Sequence, residues 1–302
     1  MIDNRIHVLL VDDNKADFVI IRKVLSKISA GGYDLDWETD YEKAKDIIAS
    51  NVHDVYLVDF RLGAGCGLDL ISEFTSQMPR KPMILLTAHG NVEIDQKSIR
   101  MGAADYLPKD EISPTSLDRS IRHSLERCRL LEKLYYQATH DELTGLYNRQ
   151  HLFERLSTSI STARRHGIPL SICLCDVDHF KSINDRHGHR TGDMLLTYIG
   201  KLFAERLREE DIPGRYGGDE FCIVFPHATP QEACISLERL RKHIEQNGFV
   251  SERQEKFKVT VTFGIAALTS ENANPESFIS SADQALYCAK ELGRNRISIF
   301  NL

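Results

Sequence analysis

The chain has 302 residues, 42% hydrophobic and 27% charged, with 38 basic and 44 acidic side chains and a net charge of -6. That length exceeds most single cores and predicts two domains, and the acidic balance argues against the basic face that a nucleic-acid partner would need. No apolar run approaches the ~20 residues of a membrane span, and MIDNRIHVLLVDDN reaches acids too early for a signal peptide, so a cytoplasmic protein with no membrane association is expected.

Ile6 to Val11 (IHVLLV) is a short apolar run with Asp12, Asp13 and Asn14 directly after it. The pattern repeats: DVYLV ends in Asp59, MILL ends in Thr87 and DYLP leads to Lys109, with helix-compatible segments between. Continuous apolar strands alternating with helices predict a parallel sheet covered on both faces. The functional crevice of such a sheet lies beyond the carboxyl ends of its strands, where Asp12, Asp13, Asp59, Thr87 and Lys109 all fall. Each alone reads as a loop acid or a helix cap, but the set does not. Carboxylates crowded into one crevice repel unless a divalent cation or a cationic side chain lies between them. Mg²⁺ held there, with a hydroxyl and an ammonium nearby, would let a carboxylate attack an incoming phosphoryl group.

On these residues the stretch 1–125 resembles a response-regulator receiver domain, with a doubly wound (βα)₅ flavodoxin-like fold. The resemblance implies that Asp59 is the phosphoacceptor, with Asp12 and Asp13 beside it as Mg²⁺ ligands. It further implies that Thr87 and Lys109 bind phosphoryl oxygens, and that Tyr106 is the switch aromatic. The implied phosphodonor partner is a histidine kinase or a phosphotransfer protein.

From Pro114 no further Gly or Pro occurs until Gly145. Leu117, Ile121, Ser124, Cys128, Leu131, Tyr135 and Ala138 recur at alternating spacings of four and three, a heptad seam weakened by Ser124, Cys128 and Ala138. One helix is expected to finish the first domain and continue over 126–138 as a dimerising stalk. The alternative for its second half is a helix packed on its own domain.

DELTGLYNR (Asp141 to Arg149) breaks that helix. PLSICLC (Pro169 to Cys175) reads as a buried strand ending in Asp176, Val177 and Asp178, and HGHRTGD reaches Asp193 before a helical run from Met194 to Glu209. Arg215-Tyr216-Gly217-Gly218-Asp219-Glu220-Phe221 then enters the apolar run CIVF, which describes a tight hairpin with acids on its tip. Acids at a strand end and on a hairpin tip can share Mg²⁺ if the strands are neighbours. No Walker-type loop is present, so Lys290 and Arg294 are the candidate phosphate clamps; as a pair near a helix end they also suit the helix dipole. Guanine offers paired donors that a carboxylate such as Asp193 can accept, with Asn184 supplying a donor and an acceptor; Asp193 is equally suited to cap a helix at Met194. The seven cysteines are single except for Cys173 and Cys175, lack the C-x₂-C spacing of zinc sites, and read as reduced small hydrophobes.

DELTGLYNR, DVDHFKSINDRHGHRTGD, RYGGDEF, VTVTFGIA and ADQALYCAKELGRN, in that order, make residues 139–302 resemble a GGDEF-type diguanylate cyclase domain. This resemblance implies an α/β domain with a central, mostly antiparallel sheet flanked by helices. It implies condensation of two GTP into cyclic di-GMP by a homodimer. Asp176 and Asp219 would bind Mg²⁺ with the Val177 carbonyl, and Glu220 would be a ligand or the general base. Asn184 and Asp193 would recognise guanine, while Lys181, Lys290 and Arg294 contact phosphates. Phe180, Gly217 and Gly218 would line the nucleotide, and Arg215 would steady charge at the reacting centre. Arg208 and Asp211, an R-x-x-D pair, with Arg239 would form a product-inhibition site for cyclic di-GMP; without the resemblance Arg208 and Asp211 read as a solvated ion pair. The rival readings are a binding-only module, against which Asp176, Asp219 and Glu220 together argue, and relaxed base choice, against which Asp193 argues.

Overall fold

The computed structural model describes residues 5–28, 32–63, 65–74, 81–88 and 97–300. They fall into two units, Met1–Tyr135 and Tyr136–Leu302. In the first, β1 (Ile6–Val11), β2 (Tyr33–Glu38), β3 (Val55–Asp59), β4 (Met83–Thr87) and β5 (Asp105–Pro108) pair in parallel in the order β2-β1-β3-β4-β5. Period-2 alternation in β1 sends Val8 and Leu10 to one face and Leu9 and Val11 to the other, and both faces are covered. Helices α1 (Lys15–Leu25), α2 (Tyr41–Ala49), α3 (Gly67–Phe74) and α4 (Pro114–Thr139) supply the cover. Residues of α2 and α3 pack with Leu9, Val11, Val58 and Leu85, while α1 and the start of α4 pack with Val8, Leu10, Leu57 and Ile84. Two-sided burial is why β1, β3 and β4 read as apolar runs, whereas the edge strand β2 (YDLDWE) does not.

The helix expected beyond Pro114 is continuous, and its seam divides by burial. Leu117, Ile121, Ser124 and Cys128 are buried within the first unit. Past them the exposed apolar residues are Leu130, Leu134, Tyr135 and Tyr136, whereas the seam's Leu131 is half-buried. Half of the heptad pattern is thus a core face of the first unit.

In the second unit, α5 (Arg149–His166) precedes β6 (Leu170–Val177), α6 (Phe180–His187) and α7 (His189–Arg206). Then come β7 (Ile212–Gly217), β8 (Glu220–Pro226), α8 (Pro230–Asn247), β9 (Val261–Ala267), α9 (Pro275–Glu291) and β10 (Ile297–Ile299). The sheet order is β10-β9-β6-β8-β7; β6 is antiparallel to both neighbours, β7 is antiparallel to β8, and only the β9–β10 pair is parallel. One face packs on α5 and α9 through Leu156, Ile172, Val224 and Phe278; the other packs on α7 and α8 through Ile199, Phe221, Leu237 and Phe263. This is the mostly antiparallel α/β domain expected.

Two boundaries differ from expectation. α7 begins at His189 and ends at Arg206, so Asp193 lies inside the helix and does not cap it. Gly188 stands at the cap instead, with φ of 86°. All seven cysteines are free, with Cys128, Cys173, Cys175 and Cys222 buried and Cys288 exposed. Among the described residues no helix is long and apolar enough to cross a membrane.

Candidate active sites

In the first unit, the strand ends bring the expected residues together. Asp12 follows β1, Asp59 ends β3, Thr87 ends β4, and Lys109 follows β5. The Lys109 ammonium donates to Asp12 Oδ2 at 2.8 Å and to Asp17 Oδ2 at 2.7 Å, and pairs with Asp59 Oδ1. Asp12 is fully buried, and burial pushes its carboxyl upward against the pull of Lys109. Burial opposes the Lys109 charge as well, yet its bonds to the three carboxylates outweigh that and hold its pKa above the ordinary lysine value. Asp13 Oδ2 accepts from the Gly63 N–H at 3.0 Å, and Asp59 Oδ2 from the Arg61 N–H at 3.0 Å. A cavity of about 940 Å³ opens onto Asp13, Asp17, Asp59, Thr87 and Lys109. Tyr106 sits on β5, half-buried. Among the described residues no trio of His, Cys, Asp or Glu is drawn into a metal cage. Here the acids gather around an ammonium, and Asp12, Asp13 and Asp59 present the hard oxygen donors that Mg²⁺ takes. Asp17 was not anticipated, because an acid in the first turn of a helix reads as a helix-dipole partner.

In the second unit, register sets the geometry. Asp176, next to last on β6, lies directly across from Glu220 on β8 and from Thr262 on β9. Lys290 reaches from α9 to place its ammonium 2.7 Å from Asp176 Oδ2. Burial raises the carboxyls of both Asp176 and Glu220, and mutual repulsion with Asp219 adds to it. The Gly217–Glu220 pair closes a two-residue turn of Gly218 and Asp219, in which Gly218 takes φ of 50°. No atom lies within 4 Å of where a side chain on Gly217 or Gly218 would begin, so open space borders the acids. Asp176, Asp219, Glu220 and the Val177 carbonyl are again all-oxygen donors suited to Mg²⁺.

Arg215 grips the turn itself. Its guanidinium donates twice to the Gly218 carbonyl, at 3.0 and 2.8 Å, and at 3.1 Å to both oxygens of Asp141. Burial raises Asp141, but bonds from Thr144 and the Arg215 charge leave its carboxyl below the ordinary value. Arg215 therefore braces the turn that carries Asp219. Asp178, next to the expected acids, is also structural: it is buried and accepts from Thr260 Oγ1 at 2.7 Å, Thr262 Oγ1 at 2.6 Å and the Asn295 N–H at 3.1 Å. Those bonds pin the segment after α9, where Arg294 is exposed with φ of 60°.

α6 and α7 carry the base-recognition candidates. Asn184 Oδ1 is buried without a hydrogen-bond donor. A side chain on Gly192 would begin 2.0 Å from that oxygen and 3.1 Å from the Phe180 ring. Only glycine leaves room for both. Asp193 and Lys181 are exposed on the same two helices. In the R-x-x-D segment, Asp211 is buried and accepts from the Arg208 backbone N–H at 2.9 Å, which folds a turn rather than forming a solvated ion pair. The Arg208 and Arg239 side chains are exposed.

The family model for the diguanylate cyclase GGDEF domain matches residues 138–296, and that for the response regulator receiver domain matches residues 8–122. The response regulator PleD of Caulobacter vibrioides is 31% identical over 303 residues, covering 96% of this chain and 65% of PleD. Diguanylate cyclase DosC of Escherichia coli is 38% identical over 176 residues, 57% of this chain and 38% of DosC. The chain thus spans less than two thirds of the length of either relative. The GGDEF domain of DgcB from Caulobacter crescentus, solved in complex with c-di-GMP, aligns with a TM-score of 0.52 at 31% identity over 54% of this chain and 95% of that one.

Proposed function

Because the chain belongs to the diguanylate cyclase GGDEF domain family and carries a response regulator receiver domain ahead of it, we propose that it condenses two GTP into cyclic di-GMP and two pyrophosphates under control of phosphorylation. The observation that carries the proposal is the alignment of Asp176 with Glu220 across β6 and β8, with Lys290 on Asp176. Asp176, Asp219, Glu220 and the Val177 carbonyl would hold Mg²⁺, which when bound neutralises phosphate charge and acidifies a ribose hydroxyl. Glu220 either completes that donor set or takes the 3′-hydroxyl proton. In each half-reaction a 3′-oxygen bonds to the α-phosphorus of the other GTP, and the bond from that phosphorus to pyrophosphate breaks. One domain presents one nucleotide, so two copies of the chain must meet, and proximity supplies much of the rate. Lys290 moves from Asp176 to the phosphates alongside Lys181 and Arg294. The orphaned Asn184 oxygen takes a guanine N–H, and Asp193 accepts the paired donors of the base edge.

Asp59 accepts the phosphoryl group from a histidine kinase or phosphotransfer protein, with Thr87 and Lys109 on its oxygens and Asp12 and Asp13 holding Mg²⁺. Tyr106 reports the change, and the exposed apolar positions of α4 pair two chains. Arg208, Asp211 and Arg239 bind the product and limit its synthesis. The DgcB domain, solved with c-di-GMP, supports this nucleotide class. GTP and Mg²⁺ incubated with the purified chain should yield cyclic di-GMP by chromatography, and ATP should not substitute; absence of that product would sink the activity. An acyl-phosphate donor should raise the rate, and an equal rate with and without it would sink the regulatory half.

A further inference from the structure

An ammonium has three hydrogens to donate, and in the first unit three different carboxylates share those of Lys109. Two of them, on Asp12 and Asp59, belong to the oxygen set that suits a divalent cation. The third, on Asp17, stands apart from it. Asp17 is the third residue of α1, so it approaches the crevice from the helix and not from a strand end. Its side chain is 18% exposed, and its Oδ2 also accepts from Asn14 Nδ2 at 3.0 Å. Asn14 is itself fixed as the cap of α1, through its Oδ1 on the Ala16 N–H at 3.0 Å. Asp17 is therefore a held carboxylate and not a free arm.

We infer that Asp17 is a positioning residue that draws the Lys109 ammonium toward α1 and so keeps oxygens of Asp12 and Asp59 available to a divalent cation. The inference rests on reading this crevice as a Mg²⁺-dependent phosphoacceptor site. Without Asp17, the third hydrogen of Lys109 turns back onto Asp12 or Asp59, and because Asp12 is fully buried that closer pairing is strong. The ammonium then occupies the acceptor oxygens that the cation needs.

The molecule contains its own probe. Trp37 is the single tryptophan of the chain, its Nε1–H donates to the Asp12 carbonyl at 2.7 Å, and its ring stacks on Phe18 of α1. Its emission reports this crevice and not the cyclase site. Titrating the full chain with Mg²⁺ while following Trp37 should give a saturable change. Asp17→Asn should weaken the apparent affinity by about 3- to 10-fold. In a Lys109→Met background the same substitution should change it by less than about twofold, because the effect travels through the ammonium. Unchanged or tighter Mg²⁺ binding by Asp17→Asn would overturn the inference, as would equal weakening in both backgrounds, which would make Asp17 a ligand or a bulk charge. No response in the unsubstituted chain would instead overturn the receiver reading beneath it. If Asp17→Asn does not show the parent Trp37 emission, Asp17→Ser, which keeps a short polar side chain in the first turn of α1, takes its place in the same cycle.

Discussion

Asn184 and Gly192 show how one missing side chain makes a recognition site. Gly192→Ala would drive a methyl into Asn184 Oδ1, displacing the buried oxygen proposed to take a guanine N–H, a pairing worth about 1–3 kcal/mol. We expect the KM for GTP to rise about 10- to 100-fold with kcat much less affected, as steady-state kinetics would show. Glu220→Gln should behave in the opposite way, losing turnover by at least about 100-fold while GTP still binds in calorimetry; retained turnover would remove Glu220 from the chemistry. Asp176, Asp219, Glu220, Asn184 and Lys290 were legible as candidates in the sequence because each lies in a motif whose letters stand close together. Asp17, Asp141 and Asp178 were not, because their partners lie 92, 74 and as many as 117 residues away in the chain. Their letters resemble those of ordinary caps and loop acids, and only the fold supplies the partner.

The β7–β8 hairpin is held at its tip by its own Arg215, and that side chain is in turn gripped by a carboxylate from another segment. Asp141, just past α4, orients Arg215, which holds the Gly218 carbonyl and with it the position of Asp219. Asp141→Asn weakens a charge-assisted pair, and kcat should fall about tenfold or more while the fold persists. A circular-dichroism melt beside the rate assay checks this, and an unchanged kcat would mean that the turn holds itself. Asp178→Ala should cost stability instead. It strands two threonine hydroxyls and leaves the Asn295 N–H only Thr262 Oγ1, at 2.9 Å, for a loss of about 2–4 kcal/mol in denaturant unfolding. The parallel sheet of the first unit followed from apolar runs and their polar tips, the antiparallel sheet of the second from the family resemblance, and the strand orders from the fold alone. The start of α7 was missed because His189, Thr191 and Gly192 are poor helix formers, and the packing of Leu195, Leu196 and Ile199 behind them overrides that preference.

At the scale of the whole chain, the two units should respond separately to solution conditions. In the second, His140 stacks on Tyr136 with ring centroids 4.0 Å apart, and burial lowers its pKa below the ordinary imidazole value. As pH falls, the unfolded chain takes up this proton first, so stability declines below about pH 6.5 until the folded imidazole is protonated too. Melting curves from pH 7.5 to pH 5 should show that decline in the second unit. His140→Phe should flatten it, and an identical slope in the variant would assign it to other groups. The thiols offer a clock for the same events. A maleimide added to the folded chain meets Cys288 at once and Cys66 and Cys234 more slowly, whereas Cys128, Cys173, Cys175 and Cys222 react only when their surroundings open. Cys128 lies in the first unit and the other three in the second. The mass gained over time therefore dates the opening of each unit in the intact chain, with no cysteine to introduce.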